Sequence, residues 1–108
     1  MGKTITEKIL SRVTGSDVSA GDIIYPEPEL LTVHDWYVVN FDKALQELGV
    51  ERLYNPDILV ISTDHEPVAV SPQAAERQKL VREIVKKYGI KNFFDAGRGG
   101  HGHVFPVE

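Results

Sequence analysis

Apolar and polar positions repeat along this chain with two periods, and the changeovers between them mark its elements. Ile5, Ile9 and Val13 recur every four residues behind Thr4-Ile5-Thr6-Glu7, which has capping-box spacing, and Gly15 suits a left-handed stop. The spacing predicts a first helix of about ten residues. Residues 16–28 carry Gly, Asp and two Pro around Ile23-Ile24-Tyr25 and read as loop and edge structure with at most one short strand. Leu30-Leu31-Thr32-Val33 predicts a strand that runs at once into His34-Asp35. Asp35 is expected to cap a second helix, with Val38, Phe41, Leu45 and Leu48 at helical spacing and Gly49 as its stop. Four consecutive apolar residues, Ile58 to Ile61, then lie between Asn55-Pro56-Asp57 and Ser62-Thr63-Asp64-His65, as in a short strand buried on both faces. Ser71 and Pro72 open a third helix with Leu80, Val81, Ile84, Val85 and Tyr88 inward, Glu76, Lys79, Arg82, Glu83 and Lys86 outward, and Gly89 at its end. A last strand, Ile90 to Ala96, runs into the glycine-rich residues 97–103, and Val104 to Val107 is a further strand-like run.

Strand, helix, strand, helix, strand is the order of an α/β fold, with a small parallel sheet of about three strands and crossover helices. At 108 residues, 1–108 is a single α/β segment with a modest core for a parallel sheet that asks for cover on both faces. A net charge of -4 argues against a nucleic-acid partner, which would need a basic face. No apolar run approaches the roughly 20 residues of a membrane span. Lys3, Glu7, Lys8 and Arg12 exclude a secretory leader at the start, so a cytoplasmic location is expected. Residues 1–6 satisfy a myristoylation pattern, but they are better used as a helix start. With no cysteine, the chain offers no thiol nucleophile, disulfide or thiolate ligand.

Each of the four histidines follows a predicted strand: His34 the first, His65 the second, His101 and His103 the third. Parallel strands end on one edge of the sheet, where α/β folds bind ligands, so these side chains are expected to converge on one crevice. Asp64 beside His65 can support the imidazolium and suits a general acid near neutral pH. Residues 97–102 fit G-x-G-x-x-G, but Pro106 stands where a dinucleotide fold needs a helix, so the glycines are read as letting backbone approach closely. His101 and His103 could be half of a metal site only if His34 and His65 came close. No acidic or cysteine ligand sits at metal-site spacing, and no metal is expected.

Several stretches resemble the large subunit of 3-isopropylmalate dehydratase, within the aconitase and homoaconitase hydro-lyases. They are residues 2–11, Ala20-Gly21-Asp22, His34-Asp35, Asp64-His65 and residues 91–100, in the family's order and spacing. The resemblance implies the N-terminal part of an aconitase-like domain, truncated here. It also implies reversible dehydration of a hydroxylated di- or tricarboxylic acid such as isopropylmalate on a [4Fe-4S] cluster, with iron as Lewis acid and a serine from a later domain taking the proton. By the same resemblance Asp64 and His65 are catalytic, protonating the leaving hydroxyl; His103 is catalytic in assisting them; His34 contacts substrate. Val104 stands where the family usually has Gln, His101-Gly102 replaces a more apolar pair, and the loop at Asp64-His65-Glu66-Pro67 is shorter.

The cluster's cysteines lie further along in the family, so none of its ligands is in this chain. The expected partners are the remainder of the large subunit, a small subunit and a small hydroxy-acid substrate. Alone, the chain is expected to be inactive and to self-associate through open sheet edges. The alternative is a stand-alone carboxylate-binding or assembly module without catalysis.

Overall fold

The computed structural model describes residues 2–98, 102 and 104. Three helices, α1 (Ile5–Thr14), α2 (Asp35–Glu47) and α3 (Pro72–Tyr88), and three strands, β1 (Leu31–His34), β2 (Leu59–Ser62) and β3 (Asn92–Phe94), follow one another as an α/β arrangement. All pairings are parallel and the sheet order is β1-β2-β3, with Val33 beside Ile61 and Ile61 beside Phe93.

The helix ends form where local chemistry asks for them. Thr4 and Glu7 exchange the two bonds of a capping box, and the Ser71 hydroxyl accepts from the Ala74 amide ahead of Pro72. Gly15 and Gly89 close α1 and α3 in the left-handed conformation that glycine adopts at little cost. The second helix departs from expectation: its N-cap is His34, which makes no side-chain capping bond, and Asp35 is its first residue.

All four residues of β2 are buried. Leu59 and Ile61 join Val38 of α2, Val81, Ile84, Val85 and Tyr88 of α3, and Ile90 in one core, so both helices cover the same face of the sheet rather than opposite faces. With the strands in sequence order, this requires two crossovers of the same hand. Asp42 ties the helices together at the surface, accepting from Lys87 Nζ at 2.6 Å and the Tyr88 hydroxyl at 2.7 Å.

In keeping with the loop reading of residues 16–28, Ile23-Ile24-Tyr25 forms no strand, and Ile23 and Tyr25 are exposed. Other expectations are corrected. The third strand is confined to Asn92–Phe94, because Ile90 turns inward off the end of α3 and Asp95 is drawn to Arg82 of α3. Leu48 is exposed beyond the end of α2. Helix α1 has the predicted amphipathic pattern but no buried residue, and Ile5, Ile9 and Val13 all face solvent. The radius of gyration is 16.9 Å, where a compact domain of this length has about 13 Å. Among the described residues no helix is long and apolar enough to cross a membrane.

Ile61 is fully buried and Ile9 half exposed. Ile61→Ala is therefore expected to cost ~2–5 kcal/mol, and Ile9→Ala no more than about 0.5 kcal/mol. Urea midpoints of the two variants measure the contrast.

Candidate functional site

The loop leaving β2 at Thr63 meets the start of α2 at the carboxyl edge of the sheet. Parallel register brings His34, the last residue of β1, beside Ser62, the last of β2. Three residues on, the His65 ring stacks on that of His34 with centroids 4.0 Å apart and planes 24° apart. Tyr37 and Trp36, on the first turn of α2, pack against these rings at 4.7 Å from His34 and 4.8 Å from His65.

Asp64 connects this stack to the glycine-rich segment. Its Oδ1 lies 2.6 Å from His65 Nδ1 and its Oδ2 accepts the Gly102 amide at 2.8 Å. Burial opposes ionisation of Asp64, but the Gly102 bond, the His65 bond and the neighbouring imidazoles outweigh it and hold the carboxyl below its ordinary value of 3.8. A carboxylate can only accept, so the proton in the short bond belongs to His65 Nδ1. His65 Nε2 is then the atom at which this ring takes up or releases a proton. Gly102 is where absence of a side chain matters: a Cβ there would lie 2.8 Å from Ser62 Oγ and 2.9 Å from Asp64 Oδ2.

Asp35, which the sequence reading placed as a helix cap, turns instead toward the β2 loop. It is 2% exposed and accepts the His65 amide at 3.3 Å and the Glu66 amide at 2.9 Å. Its Oδ1 is also 3.6 Å from His65 Nδ1 and 3.8 Å from His34 Nδ1. That last distance is too long for a hydrogen bond, and the buried His34 Nδ1 has no hydrogen-bond partner among the described residues. His101 and His103 lie outside the described residues.

His34, Asp35, Asp64 and His65 offer ligand atoms within 4.8 Å of one another, so acidic groups do stand at metal-site distance, contrary to the spacing argument from sequence. The stack itself is poorly suited to an ion. Imidazole binds a metal in its ring plane at about 2.0–2.1 Å, and two planes 24° apart with centroids 4.0 Å apart meet well beyond that reach. One ring would have to turn out of the stack. An iron-sulfur cluster held by thiolates finds no ligand here, since the chain has no cysteine.

Thr32, Val33, His34, Ser62, Asp64 and Gly102 line a hollow of only about 40 Å³. Three larger hollows elsewhere among the described residues share no residue with this group.

Fold and site together define an α/β segment with an aspartate-supported histidine at the carboxyl edge of a parallel sheet. No family model matches the chain. It is 42% identical over all 108 residues to 3-isopropylmalate dehydratase large subunit 1 of Methanopyrus kandleri, of which it spans 26%. It is 44% identical over 96 residues, 89% of this chain and 23% of the relative, to the methanogen homoaconitase large subunit of Methanocaldococcus jannaschii. The 3-isopropylmalate dehydratase large subunit of Aquifex aeolicus is 36% identical over 109 aligned positions, 100% of this chain and 25% of the relative. Relatives 33–44% identical over 89% or more of this chain are thus 3-isopropylmalate dehydratase or homoaconitase large subunits, whose N-terminal segment it matches. It spans about a quarter of the length of these curated relatives.

Two expectations follow from this geometry. Gly102→Ala should push the Asp64 carboxylate off its amide donor and cost ~1–3 kcal/mol, as overpacking of a filled site does; a urea midpoint reads it. Because the folded-state pKa of Asp64 is lowered, its contribution to stability is present above the ordinary carboxylate value and is lost as pH falls through the lowered one. Asp64→Asn should therefore flatten the acid limb of the stability–pH curve, measured by thermal unfolding from pH 7 down to pH 2.

Proposed function

We propose that this chain is the N-terminal segment of a hydro-lyase that reversibly dehydrates a hydroxylated di- or tricarboxylic acid of the isopropylmalate class. In this reading residues 1–108 are one part of an aconitase-type domain, and Asp64 and His65 form the general-acid pair. Asp64 fixes the proton on Nδ1, and His65 delivers a proton from Nε2 to the departing hydroxyl. His34, whose Nδ1 has no hydrogen-bond partner among the described residues, contacts the substrate, and His103 assists the pair.

The observation that carries this reading is the 2.6 Å contact between Asp64 and His65 Nδ1, with the same imidazole stacked on His34. An aspartate that holds one nitrogen of a histidine leaves the other oriented for proton transfer. A hollow of about 40 Å³ is one wall of a site, since pockets for small ligands run to about 300–1,000 Å³. The remaining walls, and any iron-sulfur cluster, belong to the rest of the large subunit and a small subunit. The 108 residues alone are therefore inactive as a hydratase.

A second reading is a stand-alone carboxylate-binding or assembly module without catalysis. Nuclear magnetic resonance titration with isopropylmalate or citrate separates them in part. Specific shifts at His34, His65 and His103 are expected if the pocket wall binds substrate; their absence counts against both readings. Retained binding with no turnover after joining to the rest of a large subunit and a reconstituted cluster would leave the binding module. Turnover by the isolated chain would sink the claim of inactivity.

Self-association belongs to the same proposal. The α1 stripe of Ile5, Ile9 and Val13 and the exposed Leu30 and Leu31 at the open β1 edge are apolar surfaces that another chain would cover. Sedimentation should show a dimer or larger species at high concentration; a clean monomer would count against it.

A further inference from the structure

The buried polar side chains Asp35 and Gln78 come from different helices and converge on one loop. Asp35 opens α2 and accepts the amides of His65 and Glu66. Gln78, 8% exposed in the middle of α3, donates Nε2–H to the Glu66 carbonyl at 2.8 Å. The Glu66 carboxylate is held by Arg77, and the Thr63 amide by the Phe94 carbonyl at 3.0 Å. Residues 63–66 are thus tied to α2, α3 and β3 through the amides of Thr63, His65 and Glu66 and the carbonyl and carboxylate of Glu66.

Buried polar groups without partners are costly, so a glutamine and an aspartate in such positions call for a reason. Neither bonds to its own helix neighbours in a capping role, and both oxygens of Asp35 are engaged by the same loop. We infer that Asp35 and Gln78 are positioning residues that hold the His65 imidazole in register with Asp64, Asp35 by capping the His65 and Glu66 amides and Gln78 by anchoring the Glu66 carbonyl. Its functional meaning rests on the proposed role of His65; the positioning itself does not.

The test uses the ligand-free 108-residue chain and the conservative variant Asp35→Asn. An amide has one acceptor oxygen, so it can satisfy one of the two backbone N–H groups but presents a donor to the other. The expected result is exchange of the His65 and Glu66 amide protons accelerated by roughly tenfold or more, the factor for losing a charge-assisted hydrogen bond. The Nδ1–H resonance of His65 should shift or vanish, while the methyl shifts of the core residues Val81 and Ile84 stay in place. Gln78→Met should move the same two reporters less, through Glu66 alone.

An unchanged His65 resonance with unchanged amide exchange in folded Asp35→Asn overturns the inference. Collapse of the Val81 and Ile84 shifts in that variant also overturns it, because Asp35 would then hold the fold and not the loop. An unmoved His65 signal in Gln78→Met removes Gln78 from the pair. A chain in which His65 is positioned yet no hydroxy acid binds would refute the catalytic reading while this one stands.

Discussion

Burial of β2 on both faces is the constraint from which the rest of this structure follows. Its four residues are buried, so their backbone groups must be met by β1 on one side and β3 on the other. A strand paired in parallel on both edges cannot return by a hairpin, which forces α2 and α3 into the connections. Those helices then pack Val38 and Val81, Ile84, Val85 and Tyr88 over Leu59 and Ile61. The same constraint governs the exit from β2. The chain leaves a buried strand before it reaches solvent, and its amides at 63, 65 and 66 find the Phe94 carbonyl and Asp35 rather than water.

Much of this architecture was legible because it is written in local chemistry. Thr4 with Glu7, Ser71 with Pro72, and Gly15 and Gly89 each act within a turn of their own position, and each helix end they predict is present. The buried strand was legible from four apolar residues between polar ones. What local chemistry does not encode is the direction a polar side chain takes when two elements compete for it. Asp35 follows a strand and opens a helix, which suggests a cap; but His34, as the last strand residue, occupies the N-cap, and the orphan amides nearest the carboxylate belong to residues thirty positions away. Gln78 gave no signal, since a glutamine on an amphipathic helix reads as surface until the loop beneath it is known. The helix α1 shows the opposite limit: its apolar stripe is correct as a pattern, and nothing among the described residues covers it.

The histidines were legible at an intermediate level. Topology places His34 and His65 on one sheet edge, but stacking at 4.0 Å depends on the loop being drawn back over α2 by Asp35. That pull also brings two carboxylates within reach of one imidazole nitrogen, 2.6 Å for Asp64 and 3.6 Å for Asp35. The shorter contact decides which residue holds the proton on Nδ1, while the longer one belongs to a carboxylate already committed to two amides. The sequence neighbour acts on the ring and the distant residue acts on the backbone beneath it.

Charge limits what this wall can do by itself. A di- or tricarboxylate needs cationic partners, preferably planar ones that match a carboxylate edge. Arg77 and Arg82, which flank the loop and the end of β3, are already paired with Glu66 and Asp95. Asp35 and Asp64 add negative charge beside the histidines, so a polyanion approaching this edge meets two carboxylates as well as two imidazoles. Under the proposed function the positive charge that draws substrate in must come from other parts of the protein, while this segment contributes an oriented proton donor. Such a division suits the energetics: a donor set in a hydrogen-bonded frame is held in place before substrate arrives, and little reorganisation remains when the proton moves.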